Sequence, residues 1–134
     1  MILLDTHVIV WMVENNPQLG RQAIEAVECE SDRRASAMVA WEISMNIRKG
    51  RISLSAPLSA WLKDGYDSLA VREVPVTGEI ALDAGSLAGG LHGDPGDRIM
   101  IATARAMGCP LVTADRKILD YAAAGHLKAI DARR

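Results

Sequence analysis

Four acidic residues stand where a short apolar run ends or a helix begins: Asp5 in ILLDTH, Glu42 in AWEIS, Asp97 in GDPGDR and Asp115 in VTADRK. The apolar stretch beside each would anchor it in a parallel-sheet protein, so the carboxylates can converge from distant parts of the chain. Two carboxylates about 4 Å apart at an effective dielectric near 20 repel by roughly 4 kcal/mol, so a cluster of three or four has to protonate or bind a cation. Oxygen donors without a His/Cys ligand cluster select Mg²⁺ or Mn²⁺ over zinc. His7, His92 and His126 are too scattered for a metal motif and read as structural or surface residues. A carboxylate-held Mg²⁺ keeps several waters and can activate one of them against a phosphodiester, which is nuclease chemistry.

Each acid also has a structural reading. Asp5, with Thr6 beside it, and Asp115 suit turns or helix N-caps as well as a site. Glu42 falls on the helix side shared by Met38, Val39 and Met45, with Ser44 and Arg48 opposite, so its carboxylate faces inward, where leaving it unpaired is expensive. Asp97 is the third helical position after Asp94 and Pro95, where an acid meets free backbone amides and the positive end of the helix dipole. Asp94 is the better pure cap, and Asp97 can project toward the sheet edge. Arg98 and Arg116 suit either a substrate phosphate or a neighbouring acid, and Lys117 shares that ambiguity.

The elements that must position these groups follow from the apolar pattern. Residues 1–4 read as a strand buried on both faces and ending at Asp5. The next segment starts helical, and residues of about 17–30 carry Leu19, Ala23, Ile24 and Val27 at helical spacing, with Pro17 in the first turn. An extended piece at 34–36 leads to a helix of about 37–49, with Ser36 as N-cap and Gly50 as stop. Residues 58–69 predict a helix, 70–76 a strand and 78–87 a helix. The glycine-rich LAGGLHGDPGD stretch reads as loop, and Asp94-Pro95 then starts a helix running to Gly108. Residues 110–113 and 127–130 read as strands. Strands alternating with helices give an α/β fold of three layers around a mostly parallel central sheet, in which ligands gather beyond the carboxyl ends of the strands.

The 134 residues fit a single domain, 1–134, able to bury a sizeable core without staples. Hydrophobic residues at 49% and charged ones at 24% are the balance of a folded globular protein. Cys29 and Cys109 suit reduced, packed thiols of a cytoplasmic protein. The apolar N-terminus lacks a basic region, and Asp5 and His7 interrupt it too early for a membrane helix or signal, so no membrane partner is expected. The net charge of −2 argues against a nonspecific nucleic-acid coat protein, but one or two divalent ions on the acids would bring it from −2 to 0 or +2, so a phosphodiester substrate is not excluded. No GxxxxGK(S/T), GxGxxG or GxSxG motif supports a nucleotide-dependent kinase, a dinucleotide enzyme or a serine hydrolase. With only Trp11, Trp41, Trp61, Tyr66 and Tyr121 and no Phe, base stacking cannot be widespread. Trp11 and Trp41 are expected in the core or an interface.

In this order and spacing, ILLDTHVIVWMV, SAMVAWEISMNIRKGRISL, HGDPGDRIMIATA and LVTADRKI resemble the PIN-domain family, specifically VapC-like toxins of type II toxin–antitoxin systems. The likeness spans nearly the whole chain. It implies an α/β/α PIN-like sandwich and a Mg²⁺- or Mn²⁺-dependent endoribonuclease that is usually dimeric and held inactive by a cognate antitoxin. Asp5, Glu42, Asp97 and Asp115 match the family's acidic quartet, with Asp5 and Asp97 as direct metal ligands and Glu42 and Asp115 completing the site or orienting water. Thr6 and Thr113 match supporting hydroxyl positions, and Asp94 a capping or outer acid. Arg98 and Arg116 remain candidates for RNA contact. Three positions depart from the family pattern: Gly96 replaces an aromatic, Asn46 replaces a lysine, and no proline follows Leu87. An antitoxin is expected to present an arginine to the acidic cleft. The assembly implied is a homodimer or a toxin–antitoxin hetero-oligomer. The rival readings are a catalytically silent RNA- or protein-binding module and a metal phosphatase, the latter without a DxDxT nucleophile motif.

Overall fold

The apolar run at the start of the chain forms strand β1 (Ile2–Leu4), all three residues buried, in a computed structural model that describes residues 1–91 and 93–134. Removing each of these leucine or isoleucine side chains from water contributes roughly 1.5–3 kcal/mol, which is why a strand this short holds the centre of the molecule. Among the described residues four more strands join it: β2 (Arg33–Ser36), β3 (Val71–Val74), β4 (Leu111–Thr113) and β5 (Ala129–Asp131). The sheet order is β3-β2-β1-β4-β5 and every pairing is parallel, with Ile2 opposite Arg33 and Leu3 opposite Leu111. The chain therefore leaves β1 toward one edge and later crosses back to its other side, so the direction of winding reverses between β1 and β4. That reversal is where an open parallel sheet leaves a crevice beyond its carboxyl ends.

Seven helices among the described residues flank the sheet, giving the three-layer α/β architecture: α1 (Thr6–Glu14), α2 (Arg21–Glu28), α3 (Met38–Arg48), α4 (Leu58–Leu69), α5 (Gly78–Ser86), α6 (Pro95–Met107) and α7 (Arg116–Ala123). The main core joins Leu3, Leu4, Val8, Ile9, Val39, Ile43, Met100, Ile101, Leu111 and Ile118, and a smaller cluster ties Ile80 and Ala84 to Ala102. No helix among the described residues is long and apolar enough to cross a membrane.

Several boundaries differ from the sequence expectations. The helix expected over 17–30 starts only at Arg21, and Pro17 lies in the turn before it. Asn15 adopts a left-handed conformation (φ 52°) that ends α1, and the Asn16 side chain accepts the Gln18 amide, fixing an Asx turn where helix was expected. Ser36 does accept the Met38 amide, but the helix begins at Met38, one residue later than expected. The strand over 70–76 shortens to four residues because Ala70 closes α4 in the left-handed region and Pro75 has no amide to donate. The last strand lies two residues further on at its start, and α7 was not anticipated. Cys109 is buried, but Cys29 is exposed rather than packed. Trp41 is 52% exposed, which rules out the core among the two places expected for it. His92 lies outside the described residues.

Candidate active site

The carboxylate of Asp5 is buried just past β1, where it begins α1. One oxygen, Oδ1, accepts the Thr6 amide at 2.7 Å, and Oδ2 accepts the Thr113 hydroxyl at 2.6 Å. Thr113 ends the neighbouring strand β4, and its Oγ1 also accepts the Asp115 amide at 3.0 Å. One fully buried hydroxyl therefore joins the acids at the ends of two adjacent parallel strands. Asp115 caps α7, its Oδ1 accepting the Lys117 and Ile118 amides at 2.8 and 3.2 Å. His7 braces the same corner: Nε2 accepts the Ala114 amide at 2.9 Å, and Nδ1 lies 3.9 Å from Asp5 Oδ2.

Glu42 enters from α3, half-buried, and Thr6 donates its hydroxyl to Oε2 at 3.0 Å. Asp94 caps α6 by accepting the Asp97 amide at 3.1 Å, and Asp97 follows in the first turn. Gly96 between them is buried, and a Cβ there would stand 2.6 Å from Glu42 Oε1 and 3.3 Å from Asp94 Oδ1. Gly96 thus gives the Glu42 carboxylate room against the start of α6.

Electrostatics join these groups into one cluster. Burial first, then the charges of Asp5 and Asp94, push the Glu42 carboxyl up to about 7, against the pull of the Thr6 hydrogen bond. Burial also pushes Asp97 up to about 7, reinforced by Asp115, Asp94, Asp5 and Glu42 in that order. Helix N-termini at Asp5, Asp94 and Asp115 supply partial positive charge, but the two raised carboxyls mark a surplus of negative charge. A hard divalent cation fits such a donor set. Among the described residues no three His, Cys, Asp or Glu side chains form a ready-made cage.

The other expected site residues have varied positions. Thr6 and Thr113 both contact quartet carboxylates. Arg98, a candidate for RNA contact, points its guanidinium instead at the carbonyls of Ala84 and Leu91, donating to them at 2.8 and 3.1 Å and lashing the loop after α5 to α6. Arg116 is exposed at the start of α7. Two cations that the sequence pattern did not single out, Lys49 and Arg51, line a cleft shared with Glu42 and Asp97. A lysine and an arginine either side of a helix-ending glycine, KGR, is the only signal the sequence offered.

A model of the family described as PIN domain matches residues 2–124. Ribonuclease VapC22 of Mycobacterium tuberculosis is 36% identical over 121 residues, covering 90% of this chain and 91% of that protein. In three dimensions the chain resembles VapBC2 from Rickettsia felis, solved bound to a DNA fragment from its promoter, with a TM-score of 0.68, 17% identity and 98% of each chain covered. A toxin–antitoxin complex from Klebsiella pneumoniae matches with a TM-score of 0.67, 16% identity and the same coverage. Family model, relative and shared architecture agree with the acid-lined crevice between β1 and β4: the chain belongs to the PIN-domain family.

Proposed function

We propose that this protein is a metal-dependent endoribonuclease toxin, hydrolysing phosphodiester bonds of cellular RNA and held in check by a cognate antitoxin. The observation that carries the reading is the convergence of Asp5, Glu42, Asp97 and Asp115 on one crevice, where burial and mutual repulsion drive two of the carboxyls up to about 7. The relative from Mycobacterium tuberculosis, named a ribonuclease, supports the choice of RNA as substrate.

Asp5 and Asp97 would hold Mg²⁺ or Mn²⁺, and the bound cation would supply Lewis-acid stabilisation of the phosphodiester and acidify water. The chain's own residues do the positioning. Thr113 and the Thr6 amide fix both oxygens of Asp5, so its carboxylate cannot rotate away from the crevice. The Thr6 hydroxyl holds Glu42 Oε2, linking α3 to the strand end where Asp5 stands, and Oε1 faces Gly96 at the start of α6. Glu42 and Asp115 complete the acidic face and orient the attacking water. An arginine from an antitoxin would satisfy the same surplus charge and exclude the cation. That inhibition gives the toxin–antitoxin hetero-oligomer its physical basis, and a homodimer is the assembly proposed for the free protein.

Expression of wild type beside Asp5→Asn and Asp97→Asn tests the reading. Growth arrest and RNA cleavage are expected from the wild type alone, and purified protein is expected to cleave in Mg²⁺ or Mn²⁺ and not in EDTA. Equal effects from all three folded proteins would instead assign a silent binding module.

A further inference from the structure

The crevice opens on one side into a cleft of about 210 Å³, where Trp41, Asn46, Lys49 and Arg51 face the same space as Glu42 and Asp97. Glu42 and Asn46 stand one turn apart on α3, and Lys49 is the residue that caps the helix. Arg51 is beyond the helix, but the chain folds it back. Gly50 takes a left-handed conformation (φ 72°), its amide donates to Ile47 and the Arg51 amide donates to Asn46, at 3.0 and 2.9 Å. Those paired bonds form a Schellman cap, which fixes the backbone of Arg51 beside the last turn of α3. Trp41 spends its large ring largely in water, so core packing does not account for it.

A wall that pairs an exposed indole with two cations, next to carboxylates that call for a divalent ion, suits an anionic strand with flat bases. We propose that this cleft seats the single-stranded RNA segment adjoining the scissile phosphodiester, with Lys49 and Arg51 neutralising a neighbouring phosphate and Trp41 stacking on a base. The assignment rests on the ribonuclease reading above. An acidic protein segment would be repelled by Glu42, Asp94 and Asp97. An RNA strand engages both halves once a cation is on the acids.

The test is binding of a mixed-sequence single-stranded RNA in Ca²⁺, a hard cation that fills the carboxylates, titrated at several monovalent salt concentrations, with wild type, Trp41→Ala, Trp41→Tyr, Lys49→Ala and Arg51→Ala. All three side chains are exposed, so the variants are expected to fold. Removing one phosphate-binding cation should flatten the log K against log salt slope by about 0.7, and Trp41→Ala should weaken binding about fivefold or more. Trp41→Tyr should keep the affinity while abolishing most of the RNA-induced quenching of tryptophan emission. In Mg²⁺, the lysine and arginine variants should raise KM with kcat little changed. Wild-type affinity and slope in every variant, from a protein that cleaves RNA, would overturn the seat and leave the ribonuclease standing. A wild type that neither binds nor cleaves RNA would remove the ribonuclease reading and the seat with it. Variants that keep RNA binding but no longer bind a purified antitoxin would make the cleft a protein-docking surface and overturn the proposal.

Discussion

Gly96 shows how one missing side chain shapes the site. Glycine in the first turn of a helix sacrifices roughly 1 kcal/mol of propensity relative to alanine, and nothing in its backbone demands it, since its φ is not in the left-handed region. What it provides is space, because a Cβ would meet Glu42 Oε1 at 2.6 Å. The far end of a glutamate can swing aside, so Gly96→Ala is expected to preserve the fold while displacing Glu42. The expected outcome is an unchanged or slightly raised Tm together with a fall in RNA cleavage of about 10- to 100-fold, since small misplacements in a catalytic constellation are this costly. Wild-type turnover in a folded Gly96→Ala protein would show that the position of Glu42 does not matter to the reaction.

Among the elements, α2 and the segment after β5 meet backbone to backbone. The Gly20 amide donates to Ala132 and the Gln22 amide to Arg134, each at 2.8 Å. A Cβ on residue 20 would lie 2.2 Å from the Arg134 carbonyl carbon and 2.5 Å from that of Arg133. Neither neighbour is a side chain that can rotate away, so the clash has to separate the two elements. Gly20→Ala is therefore expected to destabilise the protein by about 1–3 kcal/mol, the usual range for overpacking, measured as a lower midpoint in urea. An unchanged midpoint would mean that the contact between α2 and residues 132–134 contributes nothing to stability. The boundaries of these elements were legible where a local hydrogen bond sets them: Asp94 and Pro95 opened α6, and Gly108 closed it at φ 62°. They were misread where a side chain diverted the backbone, as Asn16 does before α2. Of the two readings open for Asp115, the structure shows the N-cap, which opens α7.

For the whole molecule, the acidic cluster makes stability depend on pH in a direction opposite to that of most carboxylates. Glu42 and Asp97 are pushed up to about 7 in the fold, whereas an unfolded chain releases these protons near pH 4. Between those values the folded state binds more protons than the unfolded one, so the contribution to stability is complete below about pH 4 and is lost as pH rises through about 7. In EDTA the Tm is expected to fall from pH 5 to pH 8. Mg²⁺, which competes with those protons, should raise Tm most at pH 8 and least at pH 5. The Asp97→Asn protein should show a flatter profile in EDTA and a smaller response to Mg²⁺. A Tm that climbs with pH in EDTA would contradict the clustering of the carboxyls.

The sequence by itself determined the α/β alternation, the acids at the ends of apolar runs and the capping signals, because each depends on side-chain period or on hydrogen bonds a few residues long. Tertiary structure decided which of these groups meet. The hydroxyl of Thr113 reaches Asp5 across 108 positions of sequence, and that of Thr6 reaches Glu42 across 36, contacts set by the order β3-β2-β1-β4-β5 rather than by local pattern. The same packing turned Arg98 toward the carbonyls of Ala84 and Leu91 and brought Lys49 and Arg51 to the cleft of the acids. A charged side chain's type is written in the sequence, but its partner is fixed only when strands from distant segments pair, since the energy of a charge depends on what surrounds it.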